Sequence, residues 1–274
     1  IKGFKIRKRV IEELKSFWSN YDPYKLHPED ENYLSQNKQK YCLEISIEEL
    51  RTKYGSDLKS DNTRKKFVND KQNKNKILNN LFVVPFFGDV EDAKIYILMG
   101  NPGFHTGDYV DEIEDKKYIE LLKDNLSLNS KTFTCLKDEA INTGGYRYWS
   151  NNGRISKISK YLTNLNNQSS SKNYEFVKQS VCVVESIAYH SCNKPNDELY
   201  NLPSSKLTKR LVNEHIQQRV NDNKAMCFVW RSVNFWNMNS HKNLLVRDPK
   251  QAQLAVFKND EAEVMAKFLN ENFV

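Results

Sequence analysis

The sequence predicts an α/β protein with a mainly parallel central sheet, and three observations lead to this fold class. Four short apolar runs rich in β-branched residues are typical of buried strands, and they cover residues 94–98, 181–187, 225–230 and 243–247. Segments with apolar residues at helical spacing lie between these runs. Strands that alternate with helices require crossover connections, which favour parallel pairing. The 274 residues, 39% of them hydrophobic, are enough for a sizeable core.

The helices are predicted from apolar periodicity and from capping residues. They are expected over residues 4–20, 47–54, 117–126, 155–162, 204–220 and 260–273. Ser46 is the expected N-cap of the second helix, with Glu48 and Glu49 in its first turn, where the helix dipole favours carboxylates. The Asn- and Ser-rich residues 164–171 are expected to form a loop. We divide the chain into a helical, basic extension, residues 1–80, and an α/β domain, residues 81–274.

The amino-acid composition indicates the kind of partner and the cellular compartment of the protein. The net charge of +7 is compatible with a polyanionic partner, because Lys and Arg gain affinity by releasing counterions from phosphates. The basic residues 56–76 are either a solvated helix face or linker, or a set of phosphate contacts. Five scattered cysteines without a C-x-x-C pair indicate a reducing, cytoplasmic location without disulfides or structural zinc. No apolar stretch is long enough to span a bilayer, so no membrane partner is expected.

The loop after the first predicted strand is the first candidate for a site. Gly100, Asn101, Pro102 and Gly103 end the strand in a tight turn. Ligands of open α/β sheets bind beyond the carboxyl ends of the strands. Asn101, Phe104 and His105 therefore stand where chemistry is expected.

Four strand ends carry short motifs in a particular order. They are Met99-Gly100-Asn101-Pro102-Gly103, Glu185 with Tyr189-His190-Ser191, Trp230-Arg231-Ser232, and Asp248-Pro249 followed by Leu254. In this order they resemble the uracil-DNA glycosylase superfamily over about residues 81–274, and the first motif is closest to the G-x-N-P-G loop of its mismatch-specific branch. The resemblance implies a three-layer α/β/α fold with a four-stranded, mainly parallel sheet, to which the extension is added.

The resemblance implies hydrolysis of the N-glycosidic bond of a flipped, modified or damaged base, in repair or in defence against foreign DNA. It assigns catalysis to Asn101, which would position the water, and to His105 or His190, which would stabilise the leaving base. Base binding falls to Phe104, Tyr148, Trp149 and Glu185. Contacts to single- or double-stranded DNA fall to Arg231, Ser232, Lys250 and Leu254, with Leu254 as a wedge in the base stack. No metal or other cofactor is expected.

Two departures from the family pattern bear on the substrate. Asp248 stands where the family usually has a histidine, and Glu185 stands where it often has an asparagine. A carboxylate only accepts hydrogen bonds, so Glu185 is expected to favour an edge with donors, such as the amino group of a cytosine-type base. Both Glu185 and His190 also have a purely structural interpretation, as do Tyr148 and Trp149 at a helix start.

Three functional classes remain open at this point. The first is a DNA glycosylase, and the second is a non-catalytic nucleic-acid or nucleotide-binding module, which Asp248 favours. The third is a metal-dependent nuclease that would use four carboxylates, namely Asp108, Asp111, Glu112 and Asp115. The last three of these are more simply interpreted as the solvated start of a helix.

Overall fold

The computed structural model describes residues 2–151 and 153–274, and its centre is a five-stranded sheet. The strands are β1 Cys42–Leu43, β2 Ile77–Leu78, β3 Phe86–Phe87, β4 Ile95–Met99, β5 Val181–Glu185, β6 Met226–Val229 and β7 Leu244–Val246. The main sheet has the order β3-β5-β4-β6-β7, and all of its pairs are parallel except β3 with β5. The mixed α/β class and the mainly parallel sheet are confirmed.

The expectation of four strands in the sheet is wrong by one, because β3 adds an antiparallel edge. Phe86 and Phe87 pair with Val184 and Val183 of β5. A strand of two residues is too short to show an alternating pattern, so sequence periodicity gives no signal for it.

Helices occupy most of the remaining described chain. They are α1 Lys2–Trp18, α2 Pro28–Leu34, α3 Lys38–Tyr41, α4 Ile47–Tyr54, α5 Asp61–Asn69, α6 Asp108–Ile113, α7 Lys116–Leu126, α8 Gly144–Ser150, α9 Ile155–Asn166, α10 Ser170–Ser180, α11 Pro203–Arg210, α12 Gln217–Asn221, α13 Val233–Trp236 and α14 Asn259–Phe273. A π-helical turn, Leu211–Ile216, joins α11 to α12. Among the described residues, none of these helices is long and apolar enough to cross a membrane.

Capping residues explain where two of the N-terminal helices begin. Ser46 Oγ accepts the Glu49 N–H at 3.2 Å, and the Glu49 carboxylate accepts the Ser46 N–H at 2.8 Å. This reciprocal capping box confirms the predicted start of α4. Ser60 caps α5 by a single hydrogen bond, in which its Oγ accepts the Thr63 N–H at 3.2 Å, so part of the basic run 56–76 is helical.

The predicted loop over residues 164–171 is wrong in most of its length. Helix α9 continues to Asn166, and α10 begins at Ser170 with Ser169 as its N-cap. Asn167 has a φ of 55°, the left-handed conformation that ends many helices and that Asn tolerates. Asn and Ser here are therefore helix-capping residues rather than the signature of a long loop.

The helices are expected to cover both faces of the sheet. The chain moves one way along the sheet from β4 to β5 and the other way from β5 to β6. Because right-handed crossovers in opposite directions lead to opposite faces, we expect α6–α10 on one face and α11–α12 on the other. Helix α14 packs against α9, and α1 packs against the π-helical turn.

The first eighty residues contribute to the same core. Val10, Leu14 and Trp18 of α1 belong to the main hydrophobic core, and β1 pairs in parallel with β2. A second group of buried side chains, here called the N-terminal cluster, joins this segment to the loop after β4. It comprises Ile45, Leu50, Tyr54, Leu58, Phe67, Leu78, Leu81, Phe104 and Tyr109. The domain boundary at residue 81 stays a prediction.

Gly88, which follows the edge strand, is expected to resist substitution. Its φ is +103°, and a Cβ built there lies 2.6 Å from the Val181 carbonyl oxygen. We expect Gly88→Ala to lower the free energy of unfolding by about 1–3 kcal/mol, through backbone strain and the clash. Urea denaturation of this variant and of Gly103→Ala, whose added Cβ meets nothing within 4 Å, measures the difference. Equal stability of the two variants would contradict the expectation.

Candidate functional site

A cavity of about 770 Å³ lies at the carboxyl edge of the parallel strands. Asn101 after β4, Glu185 at the end of β5 and Arg231 after β6 all line it. Three of the four strand ends that carry motifs therefore line one cavity, whereas Asp248 and Leu254 after β7 do not line it. The lining also includes Lys59, Arg64, Phe87, Met99, Phe104, His105, Asp108, Asp111, Glu112, Tyr118, Cys135, Arg147, Tyr148, Trp149 and His190.

Asn101 is held in one orientation by its own loop. Its Nδ2 donates to the Pro102 carbonyl oxygen at 2.7 Å and to Ser191 Oγ at 2.8 Å. Both amide hydrogens are thus used, and Oδ1 has no hydrogen-bond partner among the described residues. The atom that Asn101 offers to the cavity is therefore an acceptor, as the placement of a water requires.

His190 is fixed between a backbone carbonyl and a carboxylate. Its Nδ1–H donates to the Gly103 carbonyl oxygen at 2.7 Å, and Nε2 lies 3.2 Å from Glu112 Oε1. Both side chains are about 95% buried. Burial lowers the pKa of His190, but the facing Glu112 carboxylate outweighs it and raises the pKa to about 9.

This geometry bears on the role expected of His190. The Gly103 carbonyl uses the Nδ1–H group, whereas Nε2 faces the Glu112 carboxylate at ion-pair distance without forming a hydrogen bond. His190 joins the Asn-Pro-Gly loop to α6, and Glu112 is fixed further by the Phe82 N–H at 3.2 Å. Donation from His190 to the leaving base stays a prediction.

Glu185 is a buried carboxyl that forms no ion pair with a described residue, and one of its oxygens has no hydrogen-bond partner. The residue is 4% exposed, and the oxygen without a partner is Oε2. Burial raises its pKa to about 8, against the attraction of Arg231 and His190. A carboxyl with this pKa is mostly neutral at pH 7, and the reading of a base edge by Glu185 stays a prediction.

Asp108 and His105 form a second polar pair in the cavity. The His105 N–H donates to Asp108 Oδ2 at 2.6 Å, and the Gly107 N–H donates to His105 Nδ1 at 3.0 Å. Burial and the charge of Glu112 raise the pKa of Asp108 to about 7. Burial and the nearby Arg64 and Arg147 lower the pKa of His105, so its ring is neutral at pH 7 and carries its hydrogen on Nε2.

The acidic stretch after the Asn101 loop is not the solvated helix start that the sequence suggests. Asp111 and Glu112 are each 4% exposed, and Asp111 accepts from Lys59 Nζ at 2.6 Å and from the Gly144 N–H at 3.1 Å. Asp115 instead caps α7. Across the described residues, no group of three His, Cys, Asp or Glu side chains is arranged to hold a metal ion. The arrangement gives the nuclease hypothesis no support.

The three aromatic candidates occupy different environments. The Phe104 ring packs against Phe67 and Tyr109 in the N-terminal cluster, so it is not a free platform for a base. Trp149 is 5% exposed and packs edge-on against its neighbours, although it lines the cavity. Tyr148 is half-buried, and the Arg154 guanidinium lies 3.5 Å above its ring.

Of the four expected DNA contacts, only Arg231 lines the cavity. Ser232 Oγ lies 3.0 Å from the Tyr200 hydroxyl, beside the sheet. Lys250 and Leu254 are exposed on the segment after β7. Two hydrogen bonds fix that segment, because the Leu254 carbonyl oxygen accepts from Trp230 Nε1 and from Arg247 Nη1, both at 3.1 Å. The structure therefore places these three residues outside the cavity.

Several cavity residues have no counterpart in the sequence-based site. Lys59 and Arg64 come from the basic extension, and Tyr118 comes from α7. The sequence indicates Asp108 as a candidate metal ligand and Glu112 as either a metal ligand or part of a solvated helix start, although their i, i+4 spacing places them on one face of a helix. That spacing, directly after the Asn101 loop, is the signal that would have identified them.

The cavity combines an acidic interior with cations at its edge. Arg64 and Arg147 are exposed, Arg231 is half-buried, and none of the three forms an ion pair with a described residue. Nucleic-acid sites require cations of this kind, which are not neutralised within the protein.

Scans against protein-family models, curated proteins and solved structures return no match to this chain.

Proposed function

We propose that this protein hydrolyses the N-glycosidic bond of a base flipped out of DNA. The observation that carries the proposal is the convergence of Asn101 Oδ1, the Asp108 carboxyl and the Glu185 carboxyl on one cavity at the strand ends. A glycosylase needs an acceptor that places water, a group that takes its proton and a polar group at the base. The order of the strand-end motifs, which resembles the uracil-DNA glycosylase superfamily, also supports it.

The distribution of charge supports a phosphate-linked substrate. Arg64, Arg147 and Arg231 attract phosphate, whereas the buried carboxyls of the cavity offer phosphate no hydrogen-bond donor comparable to a cation. A nucleotide in a strand fits this distribution when its base enters the cavity and its phosphates stay at the edge. The exposed Lys65 and Lys66 of α5, next to Arg64, continue the positive charge away from the cavity.

The proposed reaction uses only the chain's own residues and water. Asn101 Oδ1 accepts a hydrogen bond from the water and holds it against C1′ of the sugar. Asp108, whose pKa is about 7, accepts the proton as the water oxygen bonds to C1′. The electrons of the broken C1′–N bond stay with the departing base. The Nε2–H group of neutral His105 donates a hydrogen bond to this base and stabilises its negative charge.

The cellular setting is part of the same proposal. All five cysteines are free, and four of them are buried. Free buried thiols persist in a reducing compartment, which fits repair or defence acting on DNA inside the cell.

The test is base release from single- and double-stranded oligonucleotides that carry uracil, mismatches or modified cytosines. Alkaline cleavage maps the abasic sites, and mass spectrometry identifies the released bases. Asn101→Ala protein purified in parallel controls for contaminating glycosylases. We expect release from at least one substrate by the wild type alone. The absence of release from every substrate, together with salt-sensitive binding, would favour the non-catalytic module instead.

A further inference from the structure

Glu185 is buried at the cavity, and its side-chain atom Oε2 lacks a hydrogen-bond partner. It ends β5 opposite Met99 of β4, and the lining of the same cavity includes the aromatic residues Phe87, Tyr118 and Trp149. Its backbone N–H donates to the Pro85 carbonyl oxygen at 2.9 Å, but its side-chain Oε2 is buried without a hydrogen bond. A buried polar atom without a hydrogen-bond partner lowers the stability of the fold. Such an atom at a cavity is explained when a bound ligand supplies the missing hydrogen bond.

The groups that face Glu185 leave its carboxyl neutral. Arg231 approaches from the loop after β6 and His190 from the loop after β5, but neither forms an ion pair with it. The Cys135 thiol faces it from the turn Thr134–Leu136, and burial keeps that thiol protonated. Because burial outweighs both cations, the pKa of Glu185 is about 8. A neutral carboxyl has one O–H donor and one C=O acceptor.

We propose that Glu185 recognises the bound base as a neutral carboxylic acid, and that the cavity accepts a base whose edge sets one N–H donor beside one acceptor. Cytosine has this pattern in its N4 amino group and N3. The carboxyl C=O accepts from the amino group, and its O–H donates to N3. This inference rests on the proposed entry of a base into the cavity, and it adds the hydrogen-bonding pattern that the base must have.

Equilibrium binding of short single strands tests the pattern directly. The probes carry a central cytosine, 3-deazacytosine or an abasic site, and each affinity is divided by that for the abasic strand, which removes the phosphate contribution. We expect 3-deazacytosine, which has C–H in place of N3, to bind about tenfold more weakly than cytosine. A carboxylate that only accepts would bind the two alike, and equal affinities would overturn the proposal.

The pH dependence supplies an independent readout. The edge of cytosine does not titrate between about pH 6 and pH 9.5, whereas a carboxyl of pKa about 8 loses its O–H in that range. The cytosine-to-abasic ratio of the wild type is expected to fall about tenfold from about pH 7 to pH 9. Glu185→Gln keeps one donor and one acceptor, so its ratio is expected to lose the pH dependence, whereas Glu185→Leu loses the preference for cytosine at every pH.

These measurements separate the inference from the proposed reaction. Base release by the wild type, combined with a pH-independent ratio, would overturn recognition by neutral Glu185 and leave the glycosylase intact. The expected ratios without base release would support the recognition and contradict the reaction. Thermal unfolding of both Glu185 variants shows whether each is folded. If Glu185→Gln is folded and prefers cytosine no more than Glu185→Leu does, the inference is wrong.

Discussion

Asn101→Ala is expected to reduce base release by about a hundredfold or more while leaving the fold intact. The change removes Oδ1, the acceptor that would position the attacking water, and groups that orient or deprotonate a nucleophile contribute about 10²–10⁴-fold to rates. Asn101 is half-buried at the cavity, so little apolar packing is lost. Single-turnover release from the best substrate, at saturating enzyme, measures the chemical step separately from binding.

Two further variants make the Asn101 result specific. Ser191→Ala removes only the hydroxyl that accepts from Asn101 Nδ2 at 2.8 Å, so an intermediate loss is expected. Asn234→Ala removes an exposed asparagine of α13 outside the cavity and is expected to have no effect. If Asn101→Ala retained the rate of Asn234→Ala, Asn101 would not position the nucleophile.

His190→Ala is expected to lower the free energy of unfolding by about 3–5 kcal/mol. The change leaves the buried Glu112 carboxylate without its cation, and breaking one side of a buried pair has a cost of this size. It also releases the Gly103 carbonyl, and with it the loop that orients Asn101. Urea denaturation followed by circular dichroism gives the stability, and base release gives the effect on the loop.

The pH dependence of stability distinguishes His190 from a merely packed residue. Its pKa in the folded protein is about 9, above the ordinary value of 6.5, so the folded state holds this proton more tightly. The stabilisation is complete below about pH 6.5 and is lost as the pH rises through about 9, with a slope of up to about 1.4 kcal/mol per pH unit. His190→Ala should flatten this part of the curve, whereas His241→Ala should not. Parallel curves for the wild type and His190→Ala would contradict a charged His190.

The sequence predicts the strands well because four of them are apolar runs that end in clear turns. Asn101, Glu185 and Arg231 meet in the structure because parallel strands share a carboxyl edge. This part of the candidate site follows from sequence pattern and topology alone. The capping box at Ser46 is predictable for a similar reason, since it depends on neighbours in the sequence.

The other half of the site depends on contacts between distant segments. Lys59 reaches Asp111 across more than fifty residues, and His190 meets Glu112 across nearly eighty. The protonation of Glu185 and His190 depends on how deeply each is buried, which periodicity does not give. The sequence therefore identifies Glu185 as a candidate, whereas the raised pKa of its carboxyl follows from burial in the fold.

Phe104 has a consequence for how the chain can be shortened. Its ring lies among Phe67, Tyr109 and the other members of the N-terminal cluster, although its backbone belongs to the loop that carries Asn101. A fragment beginning at residue 81 would keep the Tyr109 contact of this ring but would remove Phe67, Lys59 and Arg64. We therefore expect such a fragment to be less stable than the full chain and to have an incomplete cavity lining.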